Sequence, residues 1–76
     1  MTDIAEIHVA ILDEAVDVWR PVRAERIRGN TYRIINQPYD RSVEAWQFEP
    51  GDLVVCDMIE SSDGRILAAT KRAPGV

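Results

Sequence analysis

The sequence predicts an all-β domain, a small closed barrel of five or six antiparallel strands, and three observations carry that prediction. Short β-branched segments alternate in polarity with a period of two. Gly, Pro and Asn separate them at strand-length intervals, and nothing in the chain sustains a helical period. A flat sheet of this size would expose an apolar face and two unpaired edges, whereas closure into a barrel removes both.

The first segment, "IAEIHVAIL", sets Ile7, Val9 and Ile11 on one side and His8 and Ala10 on the other, as a strand packed on one face requires. After "DEA" the chain enters a long extended stretch, "VDVWRPVRAERI". There Val16, Val18, Val22 and Ala24 share one parity while Asp17, Trp19, Arg23 and Glu25 share the other. Arg20 falls on the apolar side, next to Pro21, which lacks the N–H a ladder needs. That misfit predicts a β-bulge at Arg20–Pro21, which would bend the strand and release Arg20 to solvent. Arg28, Gly29 and Asn30 then supply a tight hairpin into "TYRII", pairing the second and third strands.

"NQPYDR" is a loop by its turn residues, and "VEAWQF" alternates again, with Trp46 and Phe48 on one side. Pro50 and Gly51 fit the central positions of a type II turn. "LVVCDMI" is a strand with apolar residues on both parities, and "SSDG" closes a hairpin onto "RILAAT". The expected organisation is one barrel over residues 1–72 and a flexible tail over 73–76. The long bent second strand and the "FEPGDLV" lead into a later strand are similar to an SH3-like barrel.

The pattern formed by Val18 to Val22 with Ala24, by Tyr32 to Ile34, and by Trp46, Phe48, Pro50, Gly51, Asp52, Val54 and Cys56 also resembles a group of short uncharacterised bacterial proteins. The likeness spans roughly residues 16 to 70. It implies a bacterial source and a small barrel, and it transfers no catalytic or binding residue.

Size and composition bound the function. A chain of 76 residues buries a modest core and has little room for a deep cleft beside it, which favours a binding or self-associating module over an enzyme. The opening residues lack a basic segment and a long uncharged run, so the expected location is the cytoplasm. The single cysteine, Cys56, forms no internal disulfide and no thiolate zinc site, and no cofactor is expected.

The net charge of -4 is distributed in blocks. Residues 1–19 carry five acids and no base, residues 20–41 carry six arginines against Glu25 and Asp40, and residues 42–64 carry six acids. An acidic total disfavours general phosphate-backbone binding but permits a local arginine patch. Arg20, Arg23, Arg26, Arg28 and Arg33 offer planar forks for carboxylate or phosphate. Their simpler role is the solvated outer face of paired strands, meeting acids across the sheet.

Trp19, Tyr32, Tyr39 and Trp46 are the aromatics that could stack on a base or grip a peptide, although Trp46 with Phe48 suits core closure. His8 and Cys56 could form a nucleophile and base pair, but neither has a glycine-rich elbow beside it. A surface histidine and an inert buried thiol account for them. The acids of residues 13–17 and 57–63 lack the loop spacing of a calcium site. The function expected is therefore a non-enzymatic, self-associating protein or peptide interaction module, with Trp19, Arg20, Arg23, Tyr32 and Arg33 as partner-binding residues. Binding of RNA or single-stranded DNA through the arginine hairpin is the alternative, and a small enzyme the third reading.

Overall fold

The computed structural model describes residues 3–62 and 64–74, and its strands run β1 (Ile4–Ala10), β2 (Trp19–Arg28), β3 (Thr31–Ile34), β4 (Leu53–Ser61) and β5 (Gly64–Arg72). Consecutive strands pair antiparallel, and β1 meets β5 at His8↔Ala68 to close the ring. A meander with an odd number of strands leaves the first and last pointing the same way, so this closing pair is parallel. The result is an all-β barrel of five strands, consistent with an SH3-like small barrel.

Alternation builds the interior. Ile7, Val9 and Ile11 from the first segment, Val22 and Ala24 from β2, Tyr32 and Ile34 from β3, and Val54 and Cys56 from β4 form one buried cluster. Trp46 and Phe48 complete it from the connection 35–52. "VEAWQF" differs from its expected regular alternation: it makes a single bridge, Ile11↔Trp46, and then bends at Gln47 and Phe48. The bridge is flanked by the backbone bonds Leu12 N–H to Ala45 O and Gln47 N–H to Ala10 O, which hold the segment against the end of β1. The bend turns both rings into the barrel, which burial of two large aromatics favours over a sixth strand.

The expected bulge at Arg20–Pro21 is absent. Pairing of β1 with β2 runs without interruption from Ile4↔Glu25 through His8↔Pro21 to Ala10↔Trp19. Neighbouring bonds explain how proline fits. Arg23, two residues on and of the same parity, turns its N–H and C=O away from β1, and both bond the Gln37 side-chain amide. Pro21 therefore also turns its nitrogen away from β1, and the ladder loses no bond there. The bulges lie elsewhere, at Arg26/Arg28, where Ile27 is the extra residue, and opposite Val55/Cys56, where Thr70 is.

Turn chemistry matches the sequence reading at two places. Gly29, in the hairpin between β2 and β3, has φ 48°, and Gly51 has φ 95° with Asp52 N–H donating to Glu49 O at 3.0 Å, as the second central residue of a type II turn requires. Ala73, the first residue of the expected tail, is instead buried, and its N–H donates to Leu53 O. Residues 75 and 76, the end of that expected tail, lie outside the described residues.

Ile34 is fully enclosed and belongs to the shortest strand, so its truncation cannot be relieved by a local shift without breaking pairing on both sides. Ile34→Ala should lower stability by about 2–5 kcal/mol, seen as a fall in the urea midpoint. Val43→Ala, at a residue 81% exposed, should change stability by less than about 0.5 kcal/mol. Equal midpoints for the two variants would contradict this assignment of the core.

Candidate functional site

The residues expected to form one binding face separate into three places. Trp19 and Arg23 lie on the outer face of β2, opposite Ala10 and Glu6 of β1. With a strand rise of about 3.3 Å per residue they are roughly 13 Å apart along the strand. Arg33 lies on the outer face of β3, opposite Glu25. Tyr32 does not join them: adjacent residues of a strand face opposite ways, and its ring enters the core with only 8% exposure.

Arg20 goes to a third place. Its inward parity sets it opposite Val9 at the mouth of the barrel, where its long side chain leaves the interior and stays 47% exposed. Its Nε and Nη2 donate to Glu44 Oε1 and Oε2 at 2.8 and 2.7 Å, a two-bonded fork. The Trp46 indole Nε1–H donates to the same Oε1 at 2.9 Å. Behind it the Tyr39 hydroxyl accepts from Trp46 N–H and donates to Glu49 Oε2, and the Tyr39 and Trp46 rings are 4.4 Å apart at a 40° tilt. Pro38, Asp40 and Val43 join these groups around a shallow pocket of about 220 Å³.

The Arg20 and Glu44 charges of this mouth are matched to each other. Bonds from Arg20 and then Trp46 hold the Glu44 carboxyl at a pKa of about 2, below its ordinary 4.5, and the bond to Glu44 raises Arg20 in turn. Asp40 is lowered by the Ser42 hydroxyl and by the backbone N–H groups of Ser42 and Val43. These bonds fix the loop, and Arg20 and Glu44 neutralise each other.

The outer face around Trp19 is different. Trp19 is partly buried, and with Val16, Asp17, Glu60, Ser61 and Ser62 it borders a concavity of about 420 Å³ between the β1–β2 connection and the tip of the β4–β5 hairpin. Val16 beside it is 73% exposed. The hairpin reaches past the barrel. Val54 and Cys56 are buried, while Met58 and Glu60, of the same parity, are exposed. The sequence signal for this place was the polar parity of Trp19; the contribution of Glu60 to Ser62 depends on a long-range approach that spacing does not encode.

Cys56 and His8 complete the candidates. Cys56 is buried, and burial and then Asp57 push its thiol up to about 11. His8 turns Nδ1 toward Leu67 O at 3.4 Å, at the single β1–β5 bridge and away from Cys56's buried face. Among the described residues no three of His, Cys, Asp and Glu gather as a metal ion would need, and no helix is long and apolar enough to cross a membrane. No protein-family model, curated protein or solved structure matches the chain.

Two outcomes follow from these groups. Because the folded pKa of Glu44 is depressed, its contribution to stability is present above the unfolded value near 4.5 and is lost as pH falls toward about 2. Glu44→Gln should thus be less stable than the parent at pH 6, and the gap between their thermal midpoints should close between pH 4.5 and 2. A gap independent of pH would show that the Arg20 fork does not stabilise the fold. Native Cys56 should resist iodoacetamide at pH 8 and react once unfolded in urea. Rapid native alkylation would place the thiol at the surface.

Proposed function

We propose that this barrel is a non-enzymatic interaction module that binds a peptide segment of a partner protein on its outer face, with Trp19 as the anchor. The observation that supports the reading is the Trp19 concavity. A large aromatic on the outward parity of β2 borders an open hollow, beside the exposed Val16, instead of filling the core as Trp46 does. Tryptophan is enriched among the few residues that carry most of the binding energy at protein interfaces.

Arg23 and Arg33 extend the same face, but each has an acid directly across the ladder, Glu6 and Glu25. Those pairs make the arginine ribbon a face of mixed sign. A mixed face gives orientation and register to a peptide more readily than it gives counterion release from a phosphate backbone.

The test is panning of a displayed peptide library on immobilised protein. The parent should enrich a shared motif, Trp19→Ala should reduce its retention about tenfold or more, and Arg28→Ala, exposed at the far end of β2, should retain it. An unchanged Trp46 indole proton resonance would establish that each variant is folded. Failure to enrich any motif that depends on Trp19 would overturn the reading.

A further inference from the structure

The charges bordering the Trp19 concavity are both negative. Asp17 stands on the β1–β2 connection and Glu60 on the hairpin tip, and among the described residues no Lys or Arg lines the space. Trp19 borders the same space, and the π face of an indole attracts a cation placed over it within about 6 Å. Asp17 makes no ion pair among the described residues. Among the described residues Glu60 forms an ion pair with Arg65, at 3.5 Å, with both side chains more than two thirds exposed. Such a pair is weak and screened, so an incoming cation can exchange for Arg65 at little cost.

These features together are unlike those at the barrel mouth, where the Glu44 carboxylate is already saturated by Arg20 and Trp46. Two carboxylates, one without an ion pair and one weakly paired, that line a hollow with an indole complement a cation on an apolar stem. A phosphate or an acidic side chain would meet two negative groups there. Val16, exposed at the rim, matches the methylene stem of an arginine or lysine.

Resting on the interaction-module reading, we infer that the peptide recognised at Trp19 is basic, with one arginine or lysine side chain laid over the indole between Asp17 and Glu60. The site selects for positive charge, and the rest of the outer face, with Arg23 opposite Glu6, tolerates flanking residues of either sign.

The experiment titrates 15N-labelled protein with two short probes, acetyl-Gly-Arg-Gly-Arg-Gly-amide and its glutamate counterpart, and follows both tryptophan indole N–H resonances. The Trp19 resonance is assigned by its loss in Trp19→Phe. The arginine peptide should shift Trp19 and the backbone amides of Glu60 to Ser62 while leaving the buried Trp46 resonance in place, and the glutamate peptide should leave all of them unmoved. The double variant Asp17→Asn, Glu60→Gln should weaken the arginine peptide on the order of fivefold, with Trp46 reporting an intact fold.

Equal response to the two peptides, or undiminished binding by the double variant, would overturn the inference. Concentration-dependent movement of the Trp19 resonance in the free protein would overturn it too, because a second copy of the chain would then occupy the hollow. Enrichment, in the panning experiment, of Trp19-dependent motifs without basic residues would remove this inference and leave the interaction reading standing. Absence of any Trp19-dependent motif would remove the interaction reading itself.

Discussion

The Glu44 carboxylate accepts two hydrogen bonds from Arg20 and one from the Trp46 indole, and the closed end of the barrel is organised around that junction. The connection 35–52 is long, rich in turns and without a strand of its own, so little in its backbone fixes its path. Glu44 ties it to β2, Trp46 ties it to the end of β1 through the Ile11 bridge, and Tyr39 fastens Trp46 to Glu49. With these in place the Trp46 and Phe48 rings can cap the core that the five strands leave open. An arginine of inward parity, which looks misplaced in the strand pattern, is the residue that makes this cap possible.

That role explains which parts of the fold were legible in the sequence. Strand identity depends on local alternation, so β1 and the two hairpins lie where polarity and turn residues placed them, except that β2 begins only at Trp19 and leaves Val16 and Val18 of the expected segment outside it and exposed. Pro50–Gly51 needed only the conformational preferences of two residues. The bulge at Pro21 failed for a reason local reasoning does not contain: whether proline disrupts a ladder depends on which neighbour its nitrogen faces, and here it faces the Gln37 side of β2. "VEAWQF" failed similarly, since alternation is shared by a strand and by a bent segment that drops two rings into a core.

The candidate site was legible in part. Trp19 could be placed on the outer parity of β2, and the structure keeps it there with no bulge to turn it inward. Tyr32 was grouped with Arg33 by residue type although neighbours in one strand cannot share a face, and its burial follows from that geometry. Glu60, Ser61 and Ser62 reach the Trp19 surroundings from a hairpin more than forty positions away in sequence. Only the overrun of the β4–β5 hairpin beyond the barrel brings them there.

The arginine content illustrates why composition is a poor guide to partner charge. Six arginines fall within residues 20–41, yet the fold disperses them. Arg20 is committed to Glu44, Arg41 meets Glu49, Arg26 caps the Gly29 carbonyl, and Arg23 and Arg33 face acids across their ladders. The acidic character of the flanking segments is what makes this dispersal possible, because their strands and loops pack against β2 and β3. What remains is a surface whose concave aromatic part is bordered, among the described charged residues, by Asp17 and Glu60. Where a basic block in sequence suggests an acidic ligand, the three-dimensional arrangement places the accessible aromatic in an acidic frame, and the charge expected of a partner changes sign.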